Sequence, residues 1–174
     1  MCQIIEARQS GSAYAIHSDA SCCINTNTAA GAYIIIDLFK GQLYQNDVVL
    51  PNDIKGSSQA ELQTILQALN NLRTIVNTNK KIKVKIYTDS KYAISYIQSC
   101  IDILQNKKIT KPTVDIDTIT QDDLNLVKTF RIKLEHEKGH ADNVFNSLCD
   151  TRAKNLRKSI LKKQRRLNIQ SQEA

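Results

Sequence analysis

The sequence holds no run of the ~18 apolar residues that a membrane-spanning helix needs. Its first residues, Met-Cys-Gln-Ile-Ile-Glu-Ala-Arg, have neither a basic start nor an apolar stretch of signal-peptide length. Glycine and proline are scarce, at 5 and 2 residues, and with 41% hydrophobic content this fits an ordinary soluble protein. Tryptophan is absent. There is no internal repeat and no low-complexity segment. The five cysteines are an odd number without metal-ligand spacing, and the neighbours Cys22 and Cys23 are poorly placed to pair with each other. The expectation is reduced thiols in an intracellular, cytoplasmic protein that does not enter a membrane.

At 174 residues the chain is long enough for one domain with a real core. The net charge is +7, and its location matters more than its size. Arg152 to Ala174 hold eight basic residues and one acid, Glu173, while the remainder holds 16 of each sign. Such a block is usually a solvated helix face; it is also the footprint of a polyanion binder.

The central stretch is Ile82 to Ile97. Val84, Ile86 and Thr88 alternate with Lys83, Lys85 and Tyr87, as in a strand, and from Ala93 the apolar residues recur at helical spacing. Asp89 falls where strand turns into helix. In open α/β sheets that is the edge where ligands bind, although Asp89 or Ser90 could simply cap the helix. Upstream, Ile4-Ile5 carries a weak strand signal. Ala13 to Ser18 reads as a strand closed by Asp19, and Ala20 to Thr28 as a loop. Ala30 to Phe39 and Gln42 to Leu50 read as a hairpin turning at Lys40-Gly41. Leu62, Ile65, Leu66, Leu69, Leu72 and Val76 form a helical stripe, with Ser58 and Glu61 spaced as a capping box. A short helix is expected within Thr118 to Thr129, and a last strand through Phe130, Ile132 and Leu134. A final helix starts near Asn143 to Asn146 with Leu148, Leu156, Ile160 and Leu167 inward. The order is three antiparallel strands, then strands joined by helical crossovers that pair in parallel. The expected fold is therefore α/β: a mixed five-stranded sheet flanked by helices.

Asp19, Glu61, Asp89 and Asp150 could converge at one sheet edge. Each has an ordinary explanation: Asp19 a turn former, Glu61 half of a capping box, Asp150 an i,i+4 partner of Lys154. Four acids in one cluster repel one another unless hard divalent cations, which take oxygen ligands, lie among them. Two such ions can hold the attacking and the leaving oxygen of a phosphodiester.

The tags Ser18-Asp19-Ala20-Ser21-Cys22, Ser57-Ser58-Gln59-Ala60-Glu61-Leu62, Tyr87-Thr88-Asp89-Ser90-Lys91-Tyr92-Ala93, Glu137-Lys138-Gly139-His140 and Asn146-Ser147-Leu148-Cys149-Asp150 follow in order. Together they resemble the type 1 ribonuclease H family over roughly Ala13 to Leu161. The resemblance implies an RNase H-like catalytic domain at 13–161, a short extension at 1–12, and a basic helix end and tail at 162–174. It implies a metal-dependent endoribonuclease that cuts the RNA strand of RNA–DNA hybrids, leaving 5′-phosphate and 3′-hydroxyl ends. Asp19, Glu61, Asp89 and Asp150 would hold two Mg²⁺ ions, with Mn²⁺ a possible substitute. Asp19 would bridge them, Asp150 would serve the ion of the attacking water, and Glu61 and Asp89 the ion of the leaving side. His140 matches a histidine that assists proton transfer or product release, against the plainer reading of a surface-loop histidine. His17 and His136 match nothing catalytic and are expected to be structural. Ser21, Asn25, Ser58 and Gln59 align with residues that read the 2′-hydroxyl, and Lys91 is placed to touch a phosphate. The partner would be an RNA–DNA hybrid, with the protein a monomer.

The match departs in places. Ala20 stands where many members have glycine, and the Gly-Pro-Gly-rich run before Gly31 is missing. Ser57-Ser58 resembles the retroelement branch. The tryptophan-rich basic helix with which some members grip the hybrid is absent, and Lys107, Lys108 and Lys111 are a thin substitute. The basic segment Arg152 to Arg166 is a candidate replacement. Other readings are a non-catalytic RNase H-like nucleic-acid-binding module, a retroelement-derived RNase H domain, another nuclease or integrase of the wider superfamily, and a scaffold whose acids are surface charges. Met1 and the compact length favour a free-standing enzyme.

Overall fold

The computed structural model describes residues 2–76, 80–109, 114–137 and 143–170. Five strands, β1 (Tyr14–Cys23), β2 (Thr28–Asp37), β3 (Leu43–Val49), β4 (Ile82–Thr88) and β5 (Phe130–His136), form one sheet in the order β3-β2-β1-β4-β5. β1, β2 and β3 pair antiparallel; β1 with β4 and β4 with β5 pair parallel. The mixed sheet flanked by helices is the expected one.

Period-2 alternation divides each strand between two cores. On one face Ile16, Ile35, Val84 and Ile86 pack with α2 (Ser57–Ile75), α3 (Lys91–Leu104) and α4 (Gln121–Lys128). The stripe Leu62, Ile65, Leu69 and Leu72 supplies most of the α2 side and is buried throughout. Each such side chain contributes roughly 1.5–3 kcal/mol. On the other face Ala15, Ala32, Ile34 and Ile36 meet α1 (Cys2–Gln9) and α5 (Val144–Gln170) through Ala7, Cys149 and Ala153. The hairpin between β2 and β3 closes on Asp37, whose Oδ1 accepts from the backbone of Phe39 and Lys40, with Gly41 at φ +70°.

Four local expectations differ from the structure. Ile4-Ile5 lies in helix α1, not a strand; Ala7 is fully buried against the sheet and Arg8 Nε donates to the Leu38 carbonyl at 2.8 Å. β1 does not end at Asp19 but runs to Cys23, because β2 continues to pair with it there, Ala20 opposite Gly31 and Cys23 opposite Thr28. α2 begins at Ser57 behind Gly56, so Gln59 takes the place of the third helical residue. Its side chain accepts from the Lys55 backbone at 2.8 Å, and there is no Ser58–Glu61 capping box. α5 docks through Cys149 and Ala153, whereas Leu148 and Leu167 are exposed and Leu156 and Ile160 only half-buried. The alanine-rich sheet face beneath it favours small helix residues over leucine. Among the described residues no helix is long and apolar enough to cross a membrane.

Gly31 marks the closest approach of sheet and helix. A Cβ there would overlap Thr64 Oγ1 and lie 2.7 Å from Thr64 Cγ2 and 2.9 Å from Thr64 Cβ. Thr64 is itself tied to its helix, its hydroxyl donating to the Ala60 carbonyl at 2.8 Å. Gly31→Ala is expected to destabilise the fold by about 1–3 kcal/mol, the usual cost of overpacking. Thr64→Ala should recover part of that loss in the double variant, as two neighbours sharing one clash do not add. Urea midpoints of the four proteins in this cycle measure it.

Candidate active site

The parallel pairing of β1 with β4 places His17 opposite Tyr87, so Asp19 and Asp89 each lie two residues further along neighbouring strands. Asp19 is within β1, and Asp89 is the first residue beyond β4. Glu61 comes from the second turn of α2 on one face, and Asp150 from the second turn of α5 on the other. The fold thus delivers one carboxylate from each of four elements to the same end of the sheet.

Their fields overlap. Burial raises the Asp19 carboxyl from its ordinary 3.8 to about 7; the Ala20 backbone N–H, donating at 2.6 Å, opposes this, while Asp89, Asp150 and Glu61 add to it. Burial also raises Glu61, a hydrogen bond from the Ser90 hydroxyl opposes the rise, and Asp89 adds to it. Ser90 caps α3 as well, accepting from the Ala93 backbone at 3.2 Å. The capping explanation therefore belongs to Ser90, leaving Asp89 for other work. Asp89 Oδ1 is buried without a hydrogen-bond partner, a costly state for a carboxylate oxygen. Asp150 does make its i,i+4 pair, with Lys154 Nζ at 2.7 Å.

Among the described residues no three His, Cys, Asp or Glu side chains are closed around a point where an ion would sit. The carboxylates share one field, but Glu61 leans on Ser90 and Asp150 on Lys154. The donor set is four acidic side chains, and one of them, Asp89, has a buried oxygen without a hydrogen-bond partner; oxygen donors of this kind fit hard divalent cations.

Of the other expected residues, Ser21 lies two positions beyond Asp19 and its Oγ accepts from Arg157 Nε at 2.8 Å. Asn25 is exposed on the 3₁₀ turn Ile24–Thr26, Ser58 is exposed in the first turn of α2, and Lys91 is exposed at the start of α3. Gln59 is occupied by the Lys55 backbone. His140 lies outside the described residues. His136 is exposed on β5. The cysteines 22, 23, 100 and 149 are free thiols.

His17 is structural in an unforeseen way. It is fully buried, stacked on Tyr87 with centroids 4.7 Å apart, and burial lowers its pKa to about 3. Asn143 ties it to the start of α5: Asn143 Nδ2 lies 3.2 Å from His17 Nδ1 and donates to Glu137 Oε1 at 2.5 Å, while Asn143 Oδ1 accepts from the Phe145 backbone. The same strand that carries Asp19 is thus fixed to the helix that carries Asp150. Only the position of Asn143, just ahead of a helix, hinted at this in the sequence.

Asp19 also sets a pH dependence. Its raised pKa means the folded protein holds a proton that the unfolded chain releases near pH 4, so the metal-free fold loses stability as pH rises from about 4 to about 7. Asp19→Asn should flatten that fall and exceed the parent in unfolding free energy at pH 8 by a margin of order 2–4 kcal/mol, with little difference at pH 4. Denaturation in EDTA at the two pH values checks it.

Comparison with known proteins follows the same lines. The RNase H family model matches residues 11–158. The chain is similar to a ribonuclease H of Caldicellulosiruptor saccharolyticus, 27% identical over 155 residues that cover 83% of this chain and 96% of that one. A ribonuclease H of Thermoanaerobacter sp. (strain X514) is 25% identical over 139 residues, covering 78% and 83%. Among solved structures, LC9-RNase H1, described as a type 1 RNase H with the type 2 active-site motif, shares the fold with a TM-score of 0.60 at 17% identity. That match covers 84% of this chain and 72% of the other.

Proposed function

The chain belongs to the RNase H family, and on that premise we propose that it is an endoribonuclease hydrolysing the RNA strand of RNA–DNA hybrids. The observation that carries the reading is the delivery of Asp19, Glu61, Asp89 and Asp150 to one sheet end, with Asp19 raised to about 7 by burial and by its three neighbours. Within this reading residues 13–161 are the catalytic unit. The four carboxylates would hold two Mg²⁺ ions, or Mn²⁺ in their place: Asp19 would serve both, Asp150 the ion that supplies the attacking water, and Glu61 and Asp89 the ion that stabilises the leaving oxygen. When bound, such ions lower the pKa of water and neutralise charge on the leaving oxygen. The products carry 5′-phosphate and 3′-hydroxyl ends.

The protein's own groups prepare this chemistry. Asp89 offers its unpartnered Oδ1. The Ser90 hydroxyl steadies Glu61 from the cap of α3. Lys154 holds Asp150 by a 2.7 Å contact, so its ammonium must yield for that carboxylate to take a second cation. His140 has a side chain suited to moving a proton near neutral pH. Ser21, Asn25, Ser58 and Gln59 are the groups proposed to recognise the 2′-hydroxyl, which alone separates RNA from DNA at a given site. For Ser21 and Gln59 this requires exchange of the present partners, Arg157 and the Lys55 backbone. Lys91, exposed two residues beyond Asp89, is proposed to meet a phosphate. The protein acts as a cytoplasmic monomer without an obligate protein partner.

An end-labelled RNA–DNA hybrid with Mg²⁺ or Mn²⁺ tests the proposal beside duplex DNA, duplex RNA and single-stranded RNA. Cutting is expected in the hybrid's RNA strand alone and is lost in EDTA. Asp19→Asn and Asp89→Asn should each lower the rate by more than about 100-fold, the upper cost of disturbing groups that merely support metal ligands. Folded protein that binds the hybrid but leaves it intact would instead be a non-catalytic binding module.

A further inference from the structure

The far half of α5 carries charge that nothing in the described structure answers. Lys158, Lys162, Lys163, Arg165 and Arg166 are all exposed. Among the described residues none of them makes an ion pair or a side-chain hydrogen bond; the last such contacts along the helix are those of Lys154 and Arg157. After Asp150 the chain has no acid until Glu173.

The placement of these cations is ordered. Asp150, Lys154, Lys158, Lys162 and Arg166 follow at intervals of four and form a single ridge on the helix. The ridge presents a cation about every 6 Å, over about 18 Å from Lys154 to Arg166. It starts at a carboxylate of the candidate active site. Its bearing on the sheet is set by the buried Cys149 and Ala153 and by the contact of Arg157 with Ser21, on the strand that carries Asp19.

A solvated helix end explains less of this. Cations near a helix C-terminus are favoured by the macrodipole, but only within the last turn, and the ridge begins four turns earlier. A membrane-surface helix needs an apolar stripe opposite its charges. The apolar line opposite the ridge, Leu156, Ile160 and Leu167, continues the face that docks on the sheet through Cys149 and Ala153, with Leu156 and Ile160 half-buried, so only Leu167 is left exposed opposite the charges.

We propose that the ridge Lys154–Lys158–Lys162–Arg166, with Arg165 beside it, is a phosphate-binding rail that holds the backbone of the hybrid beyond the cleavage point. This rests on the hybrid-cleaving role proposed above. The rail accounts for how a chain without tryptophan retains its substrate.

The test uses the full chain and the fourfold variant Lys158→Gln, Lys162→Gln, Arg165→Gln, Arg166→Gln. It spares Lys154, which touches Asp150, and glutamine keeps good helix propensity. Binding of a hybrid is titrated with salt in EDTA, and cleavage is measured separately at saturating hybrid. The slope of log Kd on log salt should shrink by about 2–4, and affinity near 0.1 M salt should fall by about 10–100-fold, with kcat unchanged. Lys162→Glu alone, expected to weaken binding in the same direction, keeps the readout if the fourfold variant does not fold. Equal affinity and equal slope in parent and variants would overturn the rail, as would a loss confined to anionic lipid vesicles. The two proposals separate: cleavage by the parent with hybrid affinity and salt slope insensitive to the variants leaves the enzyme and removes the rail. Rail-dependent binding without cleavage by the parent does the reverse.

Discussion

Four carboxylates held at one end of a sheet repel one another, and the fold keeps them there. The force that opposes separation is packing. α2 is pressed against β2 so closely that Gly31 has no room for a methyl group, and Thr64 of that contact lies one turn from Glu61. On the opposite face α5 sits on alanines and docks through Cys149 and Ala153, bringing Asp150 down to the sheet. Between the two helices, the parallel ladder of β1 and β4 fixes Asp19 beside Asp89. Large apolar residues of α2 on one face and the small Cys149 and Ala153 of α5 on the other thus place charges from three directions over one edge.

The electrostatic cost is concentrated rather than shared. Asp19 is nearly buried and takes the field of the other three acids, so its carboxyl is pushed up to about 7. Glu61 is relieved by the Ser90 hydroxyl and Asp150 by Lys154. The protein without a cation therefore carries a strained centre and two compensated flanks. Behind it, a second buried polar set, His17 with Asn143 and Glu137, joins the strand of Asp19 to the start of α5. Its low histidine pKa follows from burial and keeps that imidazole neutral beside the acids.

Much of this was legible from residue order. Alternation along Ile82 to Thr88 and the stripe through Leu62, Leu69 and Leu72 identified β4 and α2, because both bury one regular face in large side chains. The four acids were readable as one candidate set: Asp89 falls where strand turns into helix, Asp19 lies on the strand beside it, and Glu61 and Asp150 lie in the early turns of helices. The rest failed where tertiary contact decides. β1 passes Asp19 because a neighbouring strand is there to pair with it, which no local pattern in Ala20 to Cys23 reveals. The inward face of α5 consists of cysteine and alanine, so leucine counting selected the wrong side. The cap of helix α2 is Gly56, two residues ahead of Ser58, and that shift alone dissolves an apparent capping box. Arg157 reaching Ser21 across 136 positions has no trace in sequence.

The long helix α5 has one further consequence. It is about 40 Å of continuous helix, yet among the described residues its side-chain hydrogen bonds and ion pairs to other elements stop at Arg157. Substitutions that share no partners have additive effects. Changes beyond that point are therefore energetically separable from the carboxylate cluster, even though both ride on one rigid rod. A lineage can redraw the outer half of the helix, in charge or in length, without renegotiating the buried geometry that its inner half maintains.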